Sequence, residues 1–516
     1  VTSYLEQFST RRTSQSEPLP GQVPNSAGGH AYEVSDWARM QRFLVLGSEG
    51  GSYYTSERKL TRDNAQATMR CIAQDGQHAV REIVAISKAG RAPKNDPAIF
   101  ALALAAAADD TQTRTAALAA LPEVCRIGTH LFTFAGYVEN FRGWGRGLRS
   151  AVGRWYERED LAYQLVKYRQ RGGWTHRDLL RLSHPSPSSL LAWAAGKPAE
   201  DLPELILAFE AAQRARTPQE TAKLIRLHPD LPREALNPDH LTSLEVWDAL
   251  LDQGMPMTAL IRNLATMTRI GLVRPMSDAT RRVVEQISDS ERLRKARVHP
   301  LSVLVALKTY ESGRSARGAG EWSPVGQIVD ALDSAFYAAF GNVELTNKRT
   351  MLALDVSGSM GFPEIAGMPG ITPRIGSAAM ALVTAATEPQ HMFAGFSHNL
   401  VSLTISPRQR LDDVVRYLSS VPMGGTDCAL PIIAAIQNDI EIDLFVVYTD
   451  SETWAGRIHP SQALTEYRQQ TGIDAKLVVV GMVSNGFSIA DSRDPGMLDV
   501  VGFDTATPNV ISEFAR

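Results

Sequence analysis

The chain has 516 residues, 53 Lys+Arg against 56 Asp+Glu for a formal net charge of −3, and 44% apolar content. That length suits about three domains with large cores, which argues against a stapled miniprotein or a wholly disordered chain. Three scattered cysteines, Cys71, Cys125 and Cys428, speak against a disulfide framework or a CxxC zinc site and fit a reducing cytoplasm.

Residues 9–29 are rich in Ser, Pro, Gln and Gly, so 1–30 are expected to form a flexible tail. No signal-peptide pattern opens the chain. From about 34 to 311 nearly everything reads as helix, with apolar residues at helical spacing over 61–75, 77–89, 97–108 and 111–121. Breaks containing Asp, Gly, Pro or Asn separate these segments. Short helices with brief connections favour stacked antiparallel pairs, as in HEAT-like repeats, although no strict period is visible. The longest apolar run, 98–108, is too short to span a bilayer and ends at Asp109-Asp110. Residues 312–320 are small and flexible, and a helix beginning near Trp322-Ser323-Pro324 and ending near Phe340 is expected to bridge two domains.

Strand and helix then alternate: strand 350–355, helix 374–387, strands 391–396 and 400–405, helices 409–419 and 427–437, strand 443–449, helix 460–471 and strand 475–482. A short last strand is expected near 498–501. This pattern predicts a mostly parallel sheet covered on both faces. The expected divisions are 1–30 tail, 31–325 helical domain and 326–516 α/β domain.

Chemistry concentrates in two places. The first is Asp355-Val-Ser357-Gly-Ser359-Met360, at the end of the apolar run from Thr350. In open α/β sheets, ligands bind beyond the carboxyl ends of the strands. An acid and two hydroxyls at alternate positions suit a small hard cation such as Mg²⁺. Downstream, Gly424-Gly425-Thr426-Asp427 offers a third hydroxyl, and the strand from Asp443 ends in Thr449-Asp450-Ser451. In this order the elements resemble the von Willebrand factor A domain and its metal-ion-dependent adhesion site. The resemblance implies Ser357, Ser359 and Thr426 as direct ligands, with Asp355 and Asp450 reaching the metal directly or through water. The metal is expected to be a divalent cation, Mg²⁺ first, with Mn²⁺ or Ca²⁺ as alternatives. A phosphatase that attacks through an aspartate would carry a second acid at position 357, where this chain has serine. No nucleophile or acid–base pair is evident, so the chain is read as a non-enzyme.

The second place is basic. Residues 350–516 hold 9 Lys+Arg and 18 Asp+Glu, which leaves the N-terminal part positive, so a polyanion would choose that part. Across 142–184 ten Arg/Lys face four Asp/Glu, with Trp144, Trp155, Tyr156, Tyr163, Tyr168 and Trp174 interleaved. Clustered cations neutralise phosphates, and aromatic faces stack on unpaired bases. A solvated helical face over core aromatics, with Tyr163 and Trp174 as packing residues, is an equal reading of this composition. Arg262 and Arg269, seven apart on one predicted helix, share a face.

Lys167-Tyr-Arg-Gln-Arg171-Gly-Gly-Trp174-Thr-His-Arg-Asp-Leu-Leu-Arg-Leu-Ser-His184-Pro185 resembles the signature of the TROVE domain. The stretches 260–269 and 298–313 match further. Joined to an A domain, they make the chain similar to the Ro autoantigen family over nearly all its length. The resemblance implies a ring of helical repeats closed by the A domain, whose basic hole takes the single-stranded 3′ ends of misfolded noncoding RNAs. It further implies Y RNA on the outer surface and a Y-RNA tether to a 3′-to-5′ exoribonuclease. An intramolecular ring needs no partner subunit, so a monomer is expected, and the short apolar runs predict no membrane partner. Lys167, Arg171 and His184 match residues the family uses for RNA, and Arg169 and Arg177 join them on charge and spacing. His184 alone would read as a helix-terminal residue. Arg262 and Arg269 are candidates for the hole lining, with a structural salt bridge as the alternative. The competing function is a metal-dependent protein–protein adaptor. The loop 361–373, rich in Gly and Pro, departs from the A-domain pattern and can reshape the metal face.

Overall fold

The computed structural model describes residues 12–48, 55–296, 298–315, 320–339, 345–362, 364–365, 370–422, 424–501 and 507–516. They fall into two compact units, one from 1–67, 299–301 and 340–516, the other from 68–298 and 302–339.

Strands β1 (Gln22–Pro24) and β2 (His30–Glu33) pair antiparallel in a segment expected to be a loose tail. Polar residues in and between them bond to the α/β unit: the Tyr32 hydroxyl lies 3.0 Å from Ser461 Oγ, and Asn25 Nδ2 donates to Thr453 O at 2.6 Å. The tail expectation is therefore corrected for 12–30, while residues 1–11 lie outside the described residues. Low hydrophobicity misled the reading, because this segment is held by hydrogen bonds rather than by an apolar face.

The helical unit follows its sequence pattern. Helix Glu57–Ala89 breaks at Asp75 (φ −151°, ψ 89°), where the sequence predicted a boundary, and Asp75 Oδ1 accepts from His78 N at 2.9 Å. A Cβ on Gly76 would overlap the Thr113 side chain, so glycine permits the close approach of Thr111–Ala119. Helix Asp96–Ala107 buries residues on all sides, including Ile99, Leu102 and Ala105, which explains its uniformly apolar run. It packs on Thr111–Ala119 and Gly128–Phe141. Further along, Pro218–Leu227 packs on Leu244–Asp252, which meets Asp278–Ser288. Side-chain caps begin many of these helices: Asp110, Thr217 and Ser277 each accept a backbone N–H from the first turn.

Helix Gly326–Ala338 belongs to this unit and not to the α/β domain, which corrects the expected boundary at 326. Its apolar face (Ile328, Leu332, Ala335, Phe336) is buried, and it packs on Asp278–Ser288 and Ser290–Lys295. The segment before it is tied down as well. Trp322 Nε1 donates to Tyr310 O at 2.8 Å, and Arg314 and Glu321 form an antiparallel bridge. The middle of the expected linker, 316–319, lies outside the described residues.

A two-residue hairpin, β3 (Gln170–Arg171) and β4 (Trp174–Thr175), interrupts the helical unit. The α/β unit contains β5 (Thr350–Asp355), β6 (His391–Phe396), β7 (Leu400–Ser402), β8 (Leu444–Thr449), β9 (Lys476–Gly481), β10 (Phe487–Ser488) and β11 (Met497–Val501). Six of them form one sheet in the order β11-β9-β8-β5-β6-β7, parallel except for the antiparallel edge strand β7. β5 and β8 are buried throughout and β9 nearly so, as continuous apolar runs require. β10 leaves this sheet to pair with β2. Among the described residues no helix is long and apolar enough to cross a membrane, and all three cysteines are buried and in no disulfide there.

Candidate functional site

The chain places β6 on one side of β5 and later returns with β8 on the other, so the strand order reverses at β5. Asp355 and Asp450 emerge side by side at the carboxyl ends of these neighbours, where open sheets place ligands. Thr449 Oγ1 donates to Asp355 Oδ2 at 2.7 Å, and Ser357 N donates to Asp355 Oδ1 at 2.9 Å. The Ser357 and Ser359 hydroxyls lie 3.0 Å apart, and Ser359 bonds to the Asp450 carboxylate. Four of the five sequence-predicted ligands are thus linked.

The fifth, Thr426, is buried, but among the described residues its carbonyl rather than its hydroxyl carries the contacts, accepting from Trp454 N at 2.9 Å and Ala455 N at 3.0 Å. Asp427 faces away from a ligand role: its Oδ1 accepts from Ala429 N and from Gln15 Nε2.

Burial pushes the Asp355 carboxyl above its ordinary range. Burial first, then the negative charge of Asp355, pushes Asp450 up to about 7. Burial and Asp450 push Glu452 up to about 8. The buried Arg374, which donates to Ser357 O at 3.0 Å, also carries Coulombic attraction to Asp355. Two neighbouring buried acids need more counter-charge than one guanidinium supplies. Ser451, between Asp450 and Glu452 at φ 62°, buries a hydroxyl with no hydrogen-bond partner among the described residues. No cluster of three His, Cys, Asp or Glu occurs among the described residues, so any cation here is held by hydroxyls and the two acids. That donor set fits a hard, oxygen-seeking divalent cation.

The basic segment folds as helix, hairpin, helix. Helix Leu161–Lys167 ends at Tyr168, and the hairpin turns at Gly172 (φ 56°) and Gly173 (φ 84°), a left-handed pair that glycine adopts without strain. Thr175 and Asp178 then form a capping box for helix His176–Ser183. His184 closes that helix at φ 48°, ψ 56°, its N–H donating to Leu180 O. Its backbone therefore has the helix-terminal role, and its ring is exposed.

Arg169, Arg171 and Arg177 are exposed. Lys167 is half-buried, its Nζ donating to Tyr163 Oη at 2.8 Å and lying 5.0 and 5.6 Å from the Tyr163 and Tyr168 ring centres. Burial works to lower its pKa, but the Tyr163 hydroxyl and nearby charges outweigh it and hold the ammonium above its ordinary value. Arg169 lies over Phe209 at 5.2 Å. The aromatics divide. Trp155 and Tyr156 are core, while Trp144, Tyr163, Tyr168 and Trp174 are half-buried, with Trp144 and Trp174 6.0 Å apart.

Pairing separates cations that meet a carboxylate from those that do not. Of the ten Lys/Arg in 142–184, Arg158 alone has a carboxylate partner among the described residues. Arg281 and Arg282 stand as a contrast, engaging Asp278, Glu285, Asp248 and Asp252. Arg262 and Arg269 are exposed on helix Met257–Arg269 and form no ion pair among the described residues. Sequence reading missed the hairpin itself, although Gly-Gly followed by Thr-x-x-Asp is a turn and cap signal.

Comparisons with known proteins match both the helical and the α/β parts of the chain. Residues 23–224 and 195–309 match the TROVE domain, and 349–515 match the Ro60 vWA domain. "RNA-binding protein RO60" of Deinococcus radiodurans is 43% identical over 509 residues, 96% of this chain and 95% of that protein. The Caenorhabditis elegans protein of the same name is 36% identical over 96% of this chain and 90% of its own length. The crystal structure of the Deinococcus radiodurans RO (RSR) protein superposes with a TM-score of 0.72 at 42% identity, covering 93% of this chain and 99% of that one.

Proposed function

Since the chain belongs to the TROVE-domain Ro family, we propose that it is the RNA-binding scaffold of a Ro ribonucleoprotein. Its partners are Y RNA and the single-stranded 3′ ends of misfolded noncoding RNAs, and it serves RNA quality control and the stress response in the cytoplasm. A 3′-to-5′ exoribonuclease is the partner that would act on the bound RNA, and the chain itself is non-catalytic. The observation that carries this reading is the run of nine cations in 142–184 with no carboxylate partner among the described residues, set among half-exposed aromatic rings. Unneutralised cations release counterions when they meet phosphates, and the rings offer stacking surfaces for unpaired bases. Lys167, Arg169, Arg171, Arg177 and His184 form the proposed contact segment, with Arg262 and Arg269 as further contacts. In the α/β unit, Asp355, Ser357, Ser359, Thr426 and Asp450 would hold a divalent cation, Mg²⁺ in the first instance. When bound it supplies an electrophilic centre for an incoming acidic group.

Fluorescence anisotropy with a duplex RNA bearing a single-stranded 3′ tail, the same duplex blunt, and the duplex with a 5′ tail tests the reading. The 3′-tailed RNA should bind at least about tenfold tighter than the blunt one, the scale of one or two stacked bases. Equal binding of all three would contradict the 3′-end reading, and no binding of any would contradict the RNA reading.

A further inference from the structure

Gln15 is fully buried although it lies in a segment of polar composition. Its Nε2 donates to Asp427 Oδ1 at 2.8 Å and to Ile458 O at 2.9 Å. Its Oε1 accepts from Gly456 N at 3.2 Å and from Thr453 Oγ1. Each half of the amide thus meets groups of the matching kind, so its orientation is fixed by the network. The backbone adds two more ties, Gln15 N to Gly456 O at 3.0 Å and His30 N to Gln15 O at 3.0 Å.

These partners sit on the two loops that carry the candidate metal ligands. Asp427 follows Thr426, and Thr453 stands three residues after Asp450. Ten residues beyond Gln15 the same segment returns. Asn25 Nδ2 donates to Thr453 O at 2.6 Å, while Ser26 N and Ala27 N donate to Glu452 Oε2 at 2.8 and 3.0 Å. Glycines make the approach feasible. A Cβ on Gly29 would overlap Thr453 O, and one on Gly456 would overlap Gln15 Nε2 and Asp427 Oδ1.

We infer that residues 14–29 form a clasp that positions the two metal-bearing loops, with Gln15 as the central positioning residue and Asn25 as the second. Gln15 touches no proposed ligand atom; it joins the loop after Thr426 to the loop after Asp450. Without it, Asp427 and the Gly456 N–H lose buried partners, and the two loops are left with only their direct bonds, from Trp454 N, Ala455 N and Thr453 Oγ1 to Thr426 O and from Cys428 N to Thr453 Oγ1. Groups bonded directly to metal ligands tune affinity by about 10- to 100-fold; Gln15 and Asn25 stand one bond further out, so the lower end, about 10-fold, is the scale expected of them. The inference rests on the metal reading proposed above.

The test uses the full chain and Mn²⁺ as probe, followed by calorimetry and by the Mn²⁺-induced rise in Tm. Gln15→Ala and Asn25→Ala are compared with wild type. Ser357→Ala/Ser359→Ala serves as the ligand-deficient reference. Tyr32→Phe loosens the same segment at Ser461, away from the loops, and controls for simple loss of stability. Gln15→Ala should lower Mn²⁺ affinity about 10-fold and shrink the Mn²⁺-induced rise in Tm. Tyr32→Phe should lower the metal-free Tm and keep the full rise. Wild-type Mn²⁺ affinity in folded Gln15→Ala or Asn25→Ala would overturn the clasp, and Asn25→Ala decides alone if Gln15→Ala does not fold. Failure of wild type itself to bind Mn²⁺ or Mg²⁺ would overturn the metal reading, and the clasp's role with it. Loss of the metal-induced rise in Tyr32→Phe equal to that in Gln15→Ala would reduce Gln15 to a general stabiliser.

Discussion

His176 shows how one residue of the signature segment serves the fold while its neighbours face solvent. It is buried between Phe132 and Trp155, with Tyr156 Oη 3.0 Å from Nδ1, and burial lowers its pKa to about 4. In the folded state the ring is neutral at pH 7, whereas an unfolded histidine titrates near 6.5. The folded value is the lower one, so the stabilisation is complete above pH 6.5 and is lost as pH falls from there towards 4. The loss approaches about 3 kcal/mol at the low end. Urea unfolding at pH 7 and pH 4.5 should show this decline in wild type and a clearly smaller one in His176→Gln, whatever that change costs at pH 7. An equal decline in both proteins would place the proton uptake elsewhere. Sequence alone could not separate His176 from His184, since both flank one short helix. Burial separates them, the first turned into the aromatic core and the second exposed at the C-cap.

At the scale of elements, the strands of the α/β unit were legible because buried parallel strands are continuous apolar runs, and the helices because caps and breaks punctuate them. The predicted 400–405 strand shortens to Leu400–Ser402 because it is an exposed, antiparallel edge. The clasp was illegible. Gln15 and Asn25 acquire partners more than 400 residues away, and no local pattern encodes such a contact. Helix Gly326–Ala338 was assigned to the wrong domain for a related reason: an apolar face shows that it is buried, not against what. The capping box at Thr175 fixes the exit of the hairpin that carries Arg171. Thr175→Ala should cost about 1 kcal/mol of unfolding free energy in the helical unit, the usual worth of such a cap. Denaturant titration followed by circular dichroism measures it. A change below a few tenths of a kcal/mol would mean that the hairpin, not the cap, sets the helix start.

For the whole molecule, the division of charge is the most general statement the sequence makes about partners. The acidic C-terminal third and the basic remainder cancel in the sum, which is why a net charge of −3 hides a surface suited to polyanions. The structure refines that statement through pairing. In the helical unit some arginines are spent on acids, as Arg282 is on Asp248 and Asp252, while those of 142–184 are mostly left open to solvent. On the function proposed above, this open set holds RNA. The most direct measurement is the salt dependence of affinity for a 3′-tailed structured RNA. Wild type is compared with Lys167→Ala/Arg171→Ala/His184→Ala, and with Arg281→Ala as a paired-cation control. Wild type and Arg281→Ala should bind tightly with the same steep slope of log K against log salt. The triple variant should bind more weakly with a slope shallower by about 1–2, as expected for losing two or three phosphate contacts. Affinity and slope unchanged in a folded triple variant would contradict the claim and remove RNA from this segment.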